Sequence, residues 1–406
     1  MDQILYLTLP FVPWGGGLFM APGGSGVFVA AGGGGGSGYD DEEEEEEWGD
    51  LEPFFFDEAE AVADHERRMR REQEEAQKAA QRLQAAIARE NAKKAVLAKI
   101  SDYDPKQGGE YYNRFYTDFS KFDLDEESPL EPMRYTNIIY NEGYEHRKNA
   151  AVNILSVKIA SSDVGFPIDV YGTVIFRDSI DYKCISLFHR EKDNCQPINS
   201  KDESLILTGP KRGLNLLDDV YVEFDLKIKD RQVQEEKELS KGCMTIRGTA
   251  SRYLDRCKVD SDELATRLST MEVMYAVVNN AVEATIAVEV LRGEFYGEIT
   301  ACATGVPNHL VLHDSKLAGV MNNSTGVIQL LQSVVSVSLE EKLLVTVVAQ
   351  TDDAECERTI TFTPHINGGD GDVITLGVTK MFVKVVWSLI RLSFVALSFT
   401  SYLRNL

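Results

Sequence analysis

Two runs of alternating residues constrain this fold more than any other feature of the chain. In Val220-Tyr-Val-Glu-Phe-Asp-Leu-Lys-Ile-Lys229, the residues Val220, Val222, Phe224, Leu226 and Ile228 alternate with Tyr221, Glu223, Asp225, Lys227 and Lys229. A period of two places the apolar side chains on one face and the polar ones on the other, which is a half-buried antiparallel strand. Ile168-Asp-Val-Tyr-Gly-Thr-Val-Ile-Phe-Arg177 repeats the pattern through Ile168, Val170, Val174 and Phe176, broken at Gly172.

The pattern recurs down the chain: Leu155, Val157 and Ile159; Val282, Ala284, Ile286, Val288 and Val290; Leu343, Val345 and Val347; Met381, Val383, Val385 and Trp387. Turn residues separate these runs: Gly165, Asp193-Asn194, Gly293, Gly297, Gly305, Asn322-Asn323 and Gly368-Gly369. Many short strands without βαβ alternation predict an all-β fold, an antiparallel β-sandwich over residues 150–390. It is expected as one large sandwich or as two consecutive halves, 150–235 and 240–390, because the polar stretch Asp230–Leu239 offers a break. The alternation places Val170, Val222, Phe224, Leu226, Ile286, Val288, Val345 and Trp387 in the core. It places Tyr221, Glu223, Lys227, Glu283 and Glu289 outside.

What precedes this region is different in kind. Residues 1–56 combine Gly15–Gly17, Gly23–Gly24 and Gly32–Gly36 with the acidic block Glu42–Glu47, a composition that predicts a disordered tail. Phe54–Phe56 read as sticky residues at its edge, with a short docking motif as the alternative. Residues 57–100 lack Gly and Pro and are rich in Ala, Glu, Gln, Arg and Lys, which predicts one long charged helix. Leu83 and Ile87 share a face at i, i+4, but no sustained heptad supports a strong coiled coil. A solvated helix, or a weak partner-binding one, is expected. Residues 101–149 hold Tyr111, Tyr112, Phe115, Tyr116, Phe119 and Phe122 with Pro105, Pro129 and Pro132, and read as an irregular connector strapped across the outside of the β-domain.

Charge and cysteine use limit the function classes. The net charge is −23, of which Asp40–Glu60 supplies −13 and the rest of the chain −10. Nucleic acid is therefore not an expected partner, since phosphate binding requires clustered Lys and Arg. Six cysteines, at 184, 195, 243, 257, 302 and 356, show no zinc-ligand or redox spacing and read as free thiols in a reducing compartment. Asp2, Pro10 and Pro13 in a start without a basic region argue against a signal peptide, so the expected location is cytoplasmic or nuclear. Val385–Leu403 approaches the length of a membrane span, but Arg391 near its middle opposes insertion, and Met381–Ser388 alternate as a last strand. Residues 391–406 are expected as a hydrophobic tail rather than an anchor.

Several of these residues resemble the recurring blocks of a known family. They are Phe122-Asp-Leu-Asp-Glu-Glu-Ser-Pro-Leu-Glu-Pro-Met-Arg-Tyr135, Tyr171-Gly-Thr-Val-Ile-Phe-Arg-Asp178, Leu187-Phe-His-Arg190 with Asp193-Asn-Cys195, Leu207-Thr-Gly-Pro210, Ala281-Val-Glu-Ala-Thr-Ile286 and Val385-Val-Trp-Ser-Leu389. The region 120–390 resembles a plant family, found mainly in grasses, described as domain of unknown function 6598. The resemblance implies no activity that can be carried over. Some grass members are joined to a ribosome-inactivating, rRNA N-glycosylase domain, which implies a stress or defence setting. The low-complexity start and single helix of this chain leave no room for that domain.

No catalytic constellation stands out. The densest set of reactive side chains is Tyr182, His189, Arg190, Asp193 and Cys195, in which His189 and Cys195 would make a nucleophile pair with Asp193 orienting the base. The competing reading, a polar hairpin loop turning at Asp193-Asn194, is the simpler one. His309 and His313 would share a strand face too far apart to hold a metal. The acidic loop residues Asp178, Asp181, Asp193, Asp202, Asp218 and Asp219 are candidates for calcium, with Asp178, Asp181, Asp218 and Asp219 foremost, if six to eight oxygens converge. Gly209-Pro-Lys-Arg-Gly213 lacks the ending of a phosphate loop and reads as a basic turn. The expectation is a non-enzymatic all-β interaction module with protein partners and no cofactor. The alternative is a hydrolase or rRNA N-glycosylase-related defence protein with a pocket near His189.

Overall fold

The computed structural model describes residues 57–116, 123–141, 143–229, 236–248, 257–318, 326–350 and 355–391. The glycine-rich and acidic stretch 1–56, Phe54–Phe56 within it, and residues 392–406 lie outside the described residues.

Helix α1 (Glu58–Ile100) runs 43 residues. Asp57 starts it: its Oδ1 accepts the N–H groups of Ala59 at 2.9 Å and Glu60 at 3.3 Å, satisfying two of the first-turn donors that no helical carbonyl can reach. Ion pairs one turn apart, Arg67–Asp64 and Arg70–Glu66, support its exposed surface. Strands β1 (Ser101–Asp104) and β2 (Gly109–Tyr112) follow as a hairpin where an irregular connector was expected. Asp104 caps the tight turn Pro105–Gln107, and Gly108 takes the left-handed conformation (φ 81°) that closes it.

Among the described residues, nine strands build a first sandwich. They are β3 (Ala151–Ser162), β4 (Ile168–Arg177), β5 (Ile185–Arg190), β6 (Gln196–Ile198), β7 (Leu214–Asn215), β8 (Val220–Ile228), β9 (Lys237–Ile246), β10 (Lys258–Thr266) and β11 (Ser269–Val278). One layer has the order β10-β11-β3-β7 and the other β5-β4-β8-β9, with β6 beside β4. Every named pairing is antiparallel. The two runs that organise the sequence are central neighbours, with Val174 opposite Phe224 and Val170 opposite Ile228. Gly172 breaks the alternation because a Cβ there would lie 2.1 Å from the carbonyl oxygen of Asp225 on β8.

The second sandwich uses β12 (Ala281–Arg292), β13 (Gly297–Ala303), β14 (Val306–Asp314), β15 (Val327–Ile328), β16 (Val334–Ser338), β17 (Leu343–Gln350), β18 (Glu355–Phe362), β19 (Gly369–Leu376) and β20 (Thr379–Leu389). Its layers are β15-β12-β20-β19, with β16 also on β12, and β14-β13-β17-β18. The layers divide at Asn279–Asn280 rather than between 235 and 240. β9, β10 and β11 supply Leu239, Met244, Leu264, Met271 and Val273 to the first core, so the first half extends to Val278. Val385–Leu389 belong to β20. Among the described residues no helix is long and apolar enough to cross a membrane.

All eight residues expected in the core are buried. Of the five expected outside, Glu289 is exposed, Tyr221 and Lys227 are half-buried, and two are buried: Glu223 is 3% exposed and Glu283 6%. The period of two assigned their faces correctly. What it could not show is that the chain before β3 crosses those outer faces and covers them. Phe115 lies over Tyr221, ring centroids 4.2 Å apart, and its backbone N–H donates to Glu223. Further along the same strap, the N–H of Met133 donates to Glu283. A small third core of Ala151, Ile180, Val278, Ala281 and Ile390 fills the junction of the two sandwiches.

Candidate functional site

The charged residues with the most unusual surroundings gather where the strap meets both sandwiches. Arg177 ends β4, and Glu223 lies on the neighbouring strand β8, two register positions from the residue opposite Arg177 and on the same face. With no water to solvate it, Arg177 is satisfied internally. Its Nε donates to Glu223 Oε1 at 2.7 Å and its Nη2 to Oε2 at 3.1 Å, while Nη1 reaches the carbonyl of Tyr182 and Nη2 that of Leu124. Arg114 of the strap donates to the same carboxylate at 3.0 Å and to Asp125 at 2.5 Å. Just after the Gly209-Pro210 bend, Arg212 makes a bidentate pair with Asp178 at 2.7 and 2.9 Å, both side chains fully buried. The remaining acceptor capacity of Asp178 is filled by the N–H groups of Ile180 and Asn215.

Glu283, on β12, completes the cluster. One oxygen accepts from Met133 N and the other from Gly213 N, each at 2.6 Å, so a single carboxylate joins the strap, the first sandwich and the second. A Cβ at Gly213 would meet Ile390 Cδ1 at 2.7 Å and Glu283 Oε2 at 3.2 Å, so a larger residue there would have to displace the Ile390 side chain. Burial pushes the Glu283 carboxyl above the usual carboxylate range, against the pull of the Gly213 and Met133 N–H groups and of Arg134 and Arg212. Beside it the strap is latched to the end of β20. Tyr135 N donates to Ser388 Oγ, Thr136 Oγ1 donates to the Trp387 carbonyl, and the Arg391 guanidinium lies 4.3 Å above the Tyr135 ring while donating to Tyr144 Oη. Ion pairs matched this closely hold the strap and the first sandwich together.

The sequence candidates fall as follows. His189 is exposed on β5, and its Nε2 faces Glu191 Oε1 at 2.9 Å. Arg190 donates to Asn194, and Cys195 ends the short turn Lys192–Asn194, half-buried. Tyr182 stacks on Phe115 of the strap, with centroids 5.3 Å apart. Burial raises the thiols of Cys184, Cys243, Cys257 and Cys302, the direction that makes a poor nucleophile. Of the calcium candidates, Asp178 has a guanidinium on both oxygens, where a cation would sit. Asp181 accepts from Ser128 at 2.6 Å and lies 3.5 Å from Arg212, and Asp219 accepts from Gly248 N. Among the described residues no three His, Cys, Asp or Glu side chains group as a metal site.

Sequence reasoning passed over a buried serine–histidine contact. His313 Nδ1 lies 3.1 Å from the Gln329 carbonyl, and Nε2 lies 3.1 Å from Ser315 Oγ, which accepts the N–H of Gly297 at 3.0 Å. With Nδ1 protonated to meet the carbonyl, Nε2 accepts the serine proton, and the chain of bonds closes on backbone groups at both ends. Next to it lies a shallow polar cleft of about 70 Å³ lined by Tyr296, Gly297, Glu298, Asp314, Lys316 and Gln350. That volume is well below the roughly 300–1,000 Å³ of a small-molecule site.

The same end of the second sandwich carries a different feature. The β12–β13 loop, the β14 exit, β15 and the β19–β20 turn all meet there, because Arg292 pairs with Lys380, Gly297 with Ala349 and Glu289 with Val327. Leu291, Tyr296, Leu317, Val327 and Val378 are each more than 40% exposed at this end, Val378 at 80%. Their signal in the sequence was faint, since single apolar residues at turns are ordinary and only the fold brings them together.

Residues 151–385 match the model of the family described as domain of unknown function (DUF6598). No curated protein sequence matches the chain. Among solved structures, the two calcium-bound C2 domains of extended synaptotagmin 2 align at 8% identity over 60% of this chain and 97% of that one, with a TM-score of 0.21. Human GIVD cytosolic phospholipase A2, in complex with methyl gamma-linolenyl fluorophosphonate and terbium chloride, aligns at 8% identity over 60% of this chain and 32% of that one, with a TM-score of 0.19. At such scores neither likeness carries an argument. The family match is of another order: it starts at the first residue of β3, runs through both sandwiches into β20 and covers more than half of the chain, which therefore belongs to the DUF6598 family, a domain of unknown function.

Proposed function

We propose that this chain is a non-enzymatic interaction module whose second sandwich docks a protein partner through its loop end. The observation that carries the reading is the apolar group Leu291, Tyr296, Leu317, Val327 and Val378, exposed together at one end of a β-sandwich. Apolar residues scattered singly on a surface need no explanation, whereas several gathered on one tip mark a contact site. A partner offering an apolar surface of its own fits this tip, because Arg292, Lys316 and Lys380 beside it are matched by Glu294, Glu298 and Asp314 and leave no strong field of either sign. The buried ion pairs suit the same reading, since they fix the strap to the first sandwich, while Glu283 ties both to the second through backbone N–H groups. A cytoplasmic or nuclear location and a plant stress or defence setting are part of this proposal, following from the free thiols and the family resemblance.

The test compares the full-length protein with the double variant Leu291→Asp/Val378→Asp in affinity capture from stressed leaf tissue. Both positions are exposed, so the variant should melt within about 2 °C of the parent. A protein held by the parent and lost by the variant, and then bound directly when purified, supports the loop end. An identical catch from both overturns it.

A further inference from the structure

The strap between Tyr135 and Tyr144 carries large apolar side chains that its own fold leaves uncovered. Ile139 is 92% exposed, Tyr144 40% and Ile138 37%. The backbone beneath them is held in place. The Gly368 N–H donates to the Thr136 carbonyl at 3.1 Å, Asn367 Nδ2 donates to the Ile138 carbonyl, and the Ile138 N–H donates to the Tyr135 carbonyl at 3.3 Å. The strap is thus pinned to the second sandwich while both isoleucines meet water, at a cost that a cover would remove.

The same few residues fix where the chain leaves β20. The Arg391 guanidinium lies 4.3 Å from the centre of the Tyr135 ring and 5.9 Å from that of Tyr140, and its Nη1 donates to Tyr144 Oη at 3.0 Å. Tyr140 stacks on Tyr144, centroids 4.4 Å apart, and Arg134 Nη2 donates to the Arg391 carbonyl at 3.5 Å. Residue 392 therefore begins within an arginine's length of the uncovered strap. From there the sequence reads Leu392-Ser-Phe-Val-Ala-Leu-Ser-Phe-Thr-Ser-Tyr-Leu403, which contains no charge. Fully extended, such a run reaches about 40 Å, more than enough to lie along the strap.

We infer that Leu392–Leu403, which lie outside the described residues, are the occupant of this surface and pack over Ile138, Ile139 and Tyr144 of the same chain. Two other covers fit less well. A bilayer span takes about 20 apolar residues, whereas the run between Arg391 and Arg404, as a helix, would cross only about 18 Å of a hydrocarbon core of about 30 Å. A second copy would compete with a segment already tethered at Arg391, whose effective concentration at the strap is of about millimolar order. The inference uses no residue of the loop end and stands whether or not that end binds a partner.

Hydrogen exchange read by mass spectrometry on the full-length protein tests it. The amides of residues 137–144 should exchange at least about tenfold faster in Phe394→Asp/Leu397→Asp than in the parent, and Ile138→Asp/Ile139→Asp should speed exchange across 392–403 in return. Neither variant changes a residue of either sandwich, so both should melt within about 2 °C of the parent. Protection of 137–144 should be the same at about 1 and about 50 µM, as a contact within one chain requires. Equal exchange of 137–144 in the parent and in Phe394→Asp/Leu397→Asp would overturn the inference. So would protection that grows with concentration, which assigns the surface to a second copy. Pelleting of the parent with phosphatidylcholine–phosphatidylserine vesicles, abolished by Phe394→Asp/Leu397→Asp, would overturn it as well, by assigning the segment to a lipid surface.

Discussion

The Asp178–Arg212 pair predicts an asymmetry that can be measured. Both side chains are completely buried, and removing one partner of such a pair costs about 3–5 kcal/mol, because an uncompensated charge stays behind. The two removals are not equivalent here. Asp178→Ala leaves the Arg212 guanidinium with the Gly213 carbonyl at 3.1 Å and Asp181 at 3.5 Å, and strips the N–H groups of Ile180 and Asn215 of their acceptor. Arg212→Met leaves the carboxylate with those two N–H donors still in place and fills most of the vacated volume with an apolar stem. Asp178→Ala should therefore lie at the upper end, about 4–5 kcal/mol, and Arg212→Met nearer 2–3 kcal/mol. The double variant should fall below the sum, since no charge is then left unpaired. At about 2–4 °C per kcal/mol for a unit of this size, the single variants should separate clearly in thermal melts, with urea titration supplying the free energies. Arg212→Met as the more damaging change, or Asp178→Ala within about 1 kcal/mol of the parent, would refute the account of this site.

Other consequences can be stated more briefly. Glu283 is held above the usual carboxylate range by burial, so the folded form keeps a proton that the unfolded chain releases; stability should rise as pH falls through its raised pKa, and Glu283→Gln should abolish that slope in urea titrations across pH 4–8. Asp102 is shifted the opposite way: burial opposes the shift, but the hydrogen bonds from Arg267, the Tyr103 N–H and Asn113, with the Arg267 charge, together outweigh it, so its contribution is present above the ordinary carboxylate pKa and lost as pH falls through the lowered value. Arg267→Ala should release the β1–β2 hairpin at a cost of about 1 kcal/mol, seen as faster amide exchange in Ser101–Tyr112 with the sandwich amides unchanged. Phe224→Ala, in the centre of the first core, should cost about 3–5 kcal/mol in denaturant titration.

What the sequence revealed and what it hid follow from the range of the forces involved. Val222, Phe224, Leu226 and Trp387 could be placed inside because strand alternation is a local property, and one face of a sheet must leave water. Glu223 and Glu283 obey the same alternation and still end up buried, because their outer faces are closed by the strap, which lies far from them in sequence. A hint was present in that strap: Arg114 beside Phe115, and Met133-Arg134-Tyr135, are basic and aromatic residues among turn-formers, the types that can cover a sheet and neutralise carboxylates on it. Periodicity has no means of pairing them with Glu223 and Glu283. The division between sandwiches was misplaced for a related reason. Asp230–Leu239 is polar, but β9 begins inside it at Lys237 and continues the first sheet beside β8. The true boundary, Asn279–Asn280, is marked only by the left-handed Asn280 (φ 49°), whose side chain is held by His146 of the strap at 2.8 Å.

The same distinction applies to the candidate sites: His189, Asp193 and Cys195 are near in sequence, and in the structure they lie on β5 and the short turn after it, where His189 faces Glu191. The groups that do converge come from the strap, both sandwiches and a turn: Arg114 and Arg177 pair with Glu223, Arg212 pairs with Asp178, and Glu283 accepts the backbone N–H groups of Met133 and Gly213. Exposed large apolar side chains lie elsewhere, at the loop end around Val378, on α1 and on the strap at Ile138, Ile139 and Tyr144. Apolar side chains left in water cost free energy that a covering surface returns, and the loop end around Val378 is where the proposed partner should be sought.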